Sequence, residues 1–595
     1  MKKKLAALII ALTALLPLNA QNIPQQLGYT QIYDYLQELA ADRTVSLTTV
    51  CLPLSRDLIA NTLLEAQQNS DKLTRRQLKD LDFYLNDLSL QLNTVPQKYQ
   101  KRSARNINIL NWTDGQRFSL QLLQPSFQYN SPNFKLRLQP ILGMDIIAGS
   151  HGAIINRTWG ANLEIDIANH LSIWGSMRDH SYNGNHLNAD LGLRPADARI
   201  QAPGMLNLLP GAQYKEAAYG GDYSDSRYGI RAYTSWGHIG IEKECIQWGD
   251  ARHGSIILSG RAPSFPMITM HAKPCKWFQF DYFHAWLISN VIDSTDYFVE
   301  ELYTDSTSKR HYRPRSKYMA ATMLTFTPVR GLDLSVGNSI IYAERTMNLA
   351  YLTPFAFYKS IDHAFTKGLN TENQNSQLFV NISSRNIPHL HLYGSIYIDE
   401  INTARWKKSN PQHNLFGYKV GMELTNWPLK NVSLEAEFSR VNIACYTHSI
   451  KALTYTSNSY NLGSYLGDNS QDIYVALNYR PARSLYLTAS WTHATKYNTY
   501  QYVRRSIGEI IAQKPFDEKT WRNQIFEFKA TYEPINNIYL RAQLQWNNAQ
   551  GYDLTDKAPF SGETRLDAEG NLKRFTPAIY RGQNLTAILS LTFNM

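Results

Sequence analysis

Charged side chains recur two apart along this chain, as in Glu164 and Asp166, Glu242 and Glu244, and Glu435 and Glu437. Two carboxyls on one face could act as general acid and base, but these pairs lie within ordinary alternation. Arg231, Asp281, Asp333, Lys419, Glu423 and Arg541 occupy similar positions, so the set is mixed in sign. Charges of this kind pair with one another or meet lumen water, whereas a selectivity ring would need one sign at one level. His389 and His391 share a strand face and offer two imidazoles, yet a third ligand is not in evidence, so no metal is expected. GxSxG, HExxH, GxxxxGK and GxGxxG are all missing from the sequence. Cys51, Cys245, Cys275 and Cys445 are too scattered for a disulfide framework or a CxxC zinc site. We expect no enzyme and no cofactor.

A second chemistry is more promising. Tyr214, Tyr219 and Tyr223 fall in one polar stretch, Arg405, Trp406, Lys407 and Lys408 in another, and Tyr455, Tyr460 and Tyr465 in a third. A fourth holds Tyr497, Tyr500, Tyr502, Arg504, Arg505, Lys519 and Trp521. Aromatic faces pack against the C–H faces of sugars, and Arg or Lys pairs with acidic groups. Trp406, Lys407, Tyr500, Arg504, Arg505 and Trp521 are therefore the candidate polysaccharide-binding residues. The competing expectation is that such tyrosines pack against one another.

Period-two alternation must position these residues. Val432, Leu434, Ala436 and Phe438 lie on one face, with Ser433, Glu435, Glu437 and Ser439 on the other. The pattern recurs in Leu332, Leu334, Val336 and Ile340, in Ile538 to Trp546, and in Leu585 to Leu591. Tight turns are expected at 168–170, 236–238, 273–275, 328–331, 385–388, 427–431, 481–484 and 534–537. Long stretches alternate with them at 180–225, 290–316, 344–375, 399–414, 442–470, 495–522 and 547–583. That alternation predicts a transmembrane antiparallel β-barrel of about 18 strands, in preference to a soluble sandwich. Trp236, Trp277, Phe326, Tyr479 and Tyr532 next to turns fit an interfacial girdle. Ahead of the strands, Leu73, Leu78, Leu81, Leu85 and Leu88 repeat at helical spacing, and Ser55 with Asp57 marks a helix start.

Lys2 to Lys4, the apolar run Leu5 to Leu16, and Ala20 read as a signal peptide. The expected division is 1–20 signal peptide, 21–105 periplasmic helical segment, and 106–595 outer-membrane barrel with extracellular long loops. The chain has 595 residues, 43% hydrophobic and 18% charged, with a formal net charge of +11 that includes Lys2, Lys3 and Lys4. That charge is moderate and unclustered, so nucleic acid is not an expected partner. Outer-membrane lipid, and the barrel assembly machinery during biogenesis, are.

The stretch Gln247-Trp248-Gly249-Asp250-Ala251-Arg252-His253-Gly254-Ser255-Ile256-Ile257-Leu258-Ser259, followed by Ala262-Pro263-Ser264-Phe265-Pro266, resembles the signature of the capsule assembly Wzi family as it occurs in Bacteroidetes. Trp248, Gly249, Arg252, Ser259, Pro263, Phe265 and Pro266 carry the likeness. Pro53-Leu54-Ser55-Arg56 and Asn156-Arg157-Thr158-Trp159-Gly160-Ala161 resemble that family's helical part and an early barrel strand. The resemblance implies an outer-membrane barrel with a periplasmic helical bundle, acting as a lectin that holds capsular polysaccharide at the cell surface. The alternative left open is a porin for small polar solutes. Inward-folded loops, above all 248–263, are the expected closure of the lumen, with the helices either inside it or below it.

Overall fold

The computed structural model describes residues 22–28, 30–88, 118–121, 126–131, 133–150, 152–185, 212–217, 220–301, 308–366, 374–407, 409–498, 512–554, 566–576 and 580–594. The expected signal peptide 1–20 lies outside them. Eighteen strands form a closed barrel. They run β1 Phe134–Gly149, β2 Gly152–Ile167, β3 Leu171–Asn185, β4 Gly220–Thr234, β5 Gly237–Glu244 and β6 Phe265–Cys275. Next come β7 Phe278–Leu287, β8 Lys317–Val329, β9 Leu332–Tyr342, β10 Asn375–Ser384, β11 Leu390–Glu400 and β12 Leu415–Thr425. The last six are β13 Val432–Val441, β14 Ser470–Ala482, β15 Leu485–Tyr497, β16 Lys519–Ile535, β17 Ile538–Gly551 and β18 Gly582–Phe593. Neighbours pair antiparallel, and β18 closes on β1 with Phe593 opposite Leu142 and Thr586 opposite Gly149.

The alternation places the side chains as their chemistry requires. Ser433, Glu435, Glu437 and Ser439 are buried in the lumen, while Leu434, Val420, Leu477 and Leu589 are exposed on the outside. An apolar, exposed outer belt suits hydrocarbon, and closure leaves no strand edge unpaired there. Tight turns occupy one end, where Ala168, Asn169, Asn431, Ser484 and Asn537 take the left-handed backbone that short hairpins need. Trp236, Trp277, Phe326, Tyr479 and Tyr532 are exposed at the same end, as an interfacial girdle would be.

Three helices, α1 Ile32–Ala41, α2 Arg56–Gln68 and α3 Arg75–Asp87, precede the barrel. Ser55 and Thr74 stand at the N-caps of α2 and α3, and Thr74 completes a capping box with Gln77. Tyr35, Leu36, Leu39, Ile59, Leu63, Leu81, Tyr84 and Leu85 bury their apolar faces together. This unit fills the tight-turn mouth. Asp80 Oδ1 accepts from Ser484 N at 2.9 Å, Asn537 Nδ2 donates to Asp87 at 2.8 Å, and the Tyr84 and Tyr486 hydroxyls meet at 3.3 Å. The helices thus enter the barrel instead of lying below it.

One connection departs from expectation. Residues 344–366, within the long stretch expected at 344–375, turn back over the outside of β6 to β9. Tyr351, Tyr358 and the short helix α4 Tyr358–Thr366 cover Phe280, Tyr282, Tyr318, Ala320, Ile340 and Tyr342. At the opposite side, α5 Ala568–Phe575 packs on β16 and β17.

Candidate functional site

Inside the barrel the signature segment builds a small sheet. Cys51–Leu52 pairs with Gln247–Trp248, which pairs with Leu258–Ser259, all antiparallel. Trp248 is buried edge-on against Phe283, with ring centroids 5.1 Å apart. Gly249 has φ +105, and a Cβ there would stand 2.5 Å from Ser255 Oγ, so only glycine fits while its N–H donates to Val50 O at 2.7 Å. Ser259 N donates to Leu462 O at 2.7 Å, tying the sheet to the connection above it. Pro263 leads back to the wall, where Phe265 starts β6 with its ring inward and Pro266 faces out.

Ion pairs fasten this plug. Arg252 reaches Asp34 of α1, its backbone N–H donates to Glu437 Oε1 at 2.5 Å, and its Nε lies 3.7 Å from Glu435. His253 N also donates to Glu437, at 3.1 Å, and Lys419 Nζ sits 2.7 Å from the same carboxylate. At the helical mouth Glu38 holds both Arg76 and Arg480. Burial alone would raise the Asp34, Glu38 and Asp87 carboxyls, but the arginines beside them outweigh it and hold all three below the ordinary carboxylate range. Elsewhere on the wall Arg231 pairs with Glu242, Arg227 with Glu244, and Arg137 with Glu164. The expected mutual pairing of inward charges is therefore what these groups do. His389 pairs with Asp42 at 2.8 Å and His391 meets Ser383 Oγ at 2.9 Å, so each imidazole has its own partner.

Above the signature sheet, residues 442–469 fold inward and complete the filling. Tyr446, Tyr455, Tyr460 and Leu462 share one apolar core with Trp248, Ile256, Phe265, Phe283 and Tyr397. The Tyr446 and Tyr455 hydroxyls donate to the carbonyls of Ile256 and Ile257 at 2.6 and 3.0 Å. The tyrosines of this stretch thus pack instead of presenting a surface.

The candidate binding residues separate. Trp406 ends a 3-10 turn, Thr403–Trp406, with 66% of its surface exposed, and Lys407 beside it is exposed too. Trp521 is a correction: it is 0% exposed, its indole N–H donates to Thr576 Oγ1 at 2.8 Å, and Phe575 of α5 packs edge-on against it. Its faces are taken up by a helix from farther along the chain, so it supports the rim and offers no platform. Tyr500, Arg504 and Arg505 lie outside the described residues.

Sequence reading missed a better-formed surface. Residues Ile292–Glu301 and Ser308–Pro314 form a hairpin rising from the rim between β7 and β8. On one face Tyr297 and Tyr312 are cross-strand partners with centroids 5.6 Å apart, and the Arg310 guanidinium lies 4.9 Å from the Tyr297 ring. Both tyrosines are exposed. The charges of the other face are matched, Arg313 with Asp296 and His311 with Glu300. The available signal was aromatic residues alternating with charged ones on both arms of 290–316.

Comparison with known proteins follows the same lines. The family model for capsule assembly protein Wzi matches residues 230–559, which takes in the signature segment, the hairpin and strands β5 to β17. Among curated proteins no sequence matches. The solved structure of Wzi from Escherichia coli, an outer-membrane protein involved in group 1 capsule assembly and described as a carbohydrate-binding β-barrel, superposes with a TM-score of 0.51. It is 11% identical, over 97% of this chain and 100% of that one. OprD of Pseudomonas aeruginosa (TM-score 0.37, 9% identity, 77% of this chain and 94% of that one) and OpdK of the same organism with vanillate (0.41, 9%, 77% and 98%) are more distant likenesses. With over half its length matched by the family model, this chain belongs to the capsule assembly protein Wzi family.

Proposed function

We propose that the protein is a non-enzymatic outer-membrane lectin that holds capsular or related polysaccharide at the cell surface. The carrying observation is the pairing of a plugged lumen with exposed aromatic and cationic side chains at the long-loop mouth. A conducting barrel has no use for apolar packing around Trp248, Tyr446 and Tyr455, whereas an anchor does. Trp406, Lys407, Tyr297, Arg310 and Tyr312 supply flat faces and cations for sugar rings and acidic substituents. Tyr500, Arg504 and Arg505 belong to the same proposed surface. Weak individual contacts suffice where a polymer engages many copies of the protein. In this reading residues 1–20 are removed on export, the helices face the periplasm, and the barrel assembly machinery inserts the chain among outer-membrane lipids.

The test is a deletion strain stained for capsule, with shed polysaccharide measured in the medium. Loss of cell-attached polymer with a matching rise in the medium is expected. Unchanged retention, together with steady conductance of the purified protein in planar bilayers, would replace the lectin by a porin.

A further inference from the structure

The outer wall of β7, β8 and β9 carries side chains that do not belong in hydrocarbon. His284, Thr322 and Asn338 occupy outward positions, in register with Tyr282, Tyr318, Ile340 and Tyr342. An unpaired amide or imidazole facing acyl chains would be costly. Thr322 and Asn338 are instead engaged by residues 344–366, and His284 by Tyr342, which that segment engages in turn. Tyr282 Oη donates to Tyr351 O at 3.1 Å, Thr322 Oγ1 to Pro354 O at 2.8 Å, and Asn338 Nδ2 to Ala356 O at 3.2 Å. In return Tyr358 N donates to Asn338 Oδ1 at 3.0 Å and Asn348 N to Tyr342 Oη at 3.1 Å. His284 Nε2 and Tyr342 Oη are 2.7 Å apart.

The bonding is what irregular backbone needs at membrane depth, where its N–H and C=O groups must find protein partners because no water is there. Its reach is deep as well. Phe355 stacks on Phe280 with centroids 4.3 Å apart at 25°. Phe280 lies only three residues, roughly 10 Å of strand, from the girdle residue Trp277. It also shares a hydrogen-bonded row with Leu324 and the exposed Val336. From that low point α4 climbs back, and Gln374 N donates to Asp362 at the start of β10. Leu349, Phe355, Phe357 and Phe365 are each at least half exposed.

We infer that residues 346–366 form a re-entrant strap embedded in the membrane from its outer side, whose partner is acyl chain: Phe355 and Phe357 meet lipid at its deepest point. The strap continues the apolar belt of the neighbouring strands, and its own backbone is satisfied by the polar wall beneath it. Exposed Arg345, three residues beyond the end of β9, stands where the strap leaves the outer rim, placed for lipid phosphate.

A nitroxide at Phe357→Cys, in protein reconstituted into vesicles of phospholipid, tests this by relaxation with oxygen, which partitions into lipid, and with a water-soluble nickel chelate. Val336→Cys and Trp406→Cys provide the lipid and water references, and the unsubstituted protein gives the background from the four native cysteines. The expected result is an oxygen-dominated signal at 357 matching that at 336, with nickel access several-fold below that at 406. Nickel access at 357 equal to that at 406 would overturn the proposal. Dipolar coupling between labels on neighbouring copies would also overturn it, in favour of a second copy of this chain. Asn338→Leu is expected to loosen the strap, raising label mobility at 357 without altering that at 406. If that variant fails to assemble, the Phe357→Cys measurement still decides.

Discussion

Two connections at the long-loop mouth are both rich in tyrosine and behave oppositely. In residues 442–469, Tyr446, Tyr455, Tyr460 and Tyr465 are buried, and their companions Ile443, Ala444, Cys445, Leu453, Leu462 and Leu466 are buried with them. In residues 290–316, Tyr297 and Tyr312 stand exposed among Asp293, Asp296, Glu300, Arg310 and Arg313. Tyrosine itself is neutral in this choice, since its ring suits a core and its hydroxyl suits water. The neighbours decide. Apolar companions draw the first connection into the lumen, and alternating charge holds the second out in solvent as a hairpin. The inward connection should therefore govern stability and the outward one binding.

The sharpest break of that division is Glu437→Ala. The substitution leaves Lys419 buried without its carboxylate and removes the acceptor for Arg252 N, His253 N and Tyr393 Oη. A loss of about 3–5 kcal/mol is expected, seen as a lower thermal unfolding temperature and as conductance in planar bilayers from a loosened plug. Tyr455→Ala should cost about 3 kcal/mol through the cavity and the unmet Ile257 carbonyl, again by thermal unfolding, with polysaccharide binding by the assembled fraction unchanged.

Acid should act on the inward side alone. Asp34, Glu38 and Asp87 bind protons less readily in the fold than out of it, so their contribution is complete above the ordinary carboxylate values of 3.8 and 4.5. It is lost as pH falls through their depressed values. Burial raises Asp57 and Asp80 to about 6, so these two add stability as pH falls, and thermal unfolding followed between pH 7 and pH 3 should show no decline down to pH 4 and a collapse below it. A decline that begins near pH 6 would mean that other groups control the plug.

On the outward side, Tyr297→Ala with Tyr312→Ala should leave stability within about 0.5 kcal/mol. Binding to polysaccharide, measured by co-sedimentation with purified capsule, should fall by about 1 kcal/mol per ring. Lys407→Ala is the smallest change. Its loss of about 0.5 kcal/mol in binding should fade at high salt, as an exposed charge pair does.

Much of the fold could be read from period two. The outward row Val432 to Phe438 and the inward row Ser433 to Ser439 are visible because each strand reports its own two faces. The strap was legible only as a flaw. The apolar row Leu334, Val336, Ile340 skips Asn338, and the reason for the gap arrives with Ala356 and Tyr358 from beyond the end of the strand. Trp521 fails for the same reason of distance, since its cover, Phe575, stands far along the chain and composition gives no hint of which rings a helix will shield. The plug was readable as a need, since a ring of about 18 strands leaves a lumen that something must close, whereas the pairing of Cys51 with Trp248 leaves no local pattern.

Arg252 also sets an order of events. It joins Asp34, 218 positions earlier, to Glu437, 185 positions later. Loops of that length close slowly, and a contact cannot form before its later member has taken its place. The helical unit is synthesised first and secured late. Its other fastenings, at Arg480, Ser484 and Asn537, lie on β14 and on turns later still, so the lock is complete only with the last strands.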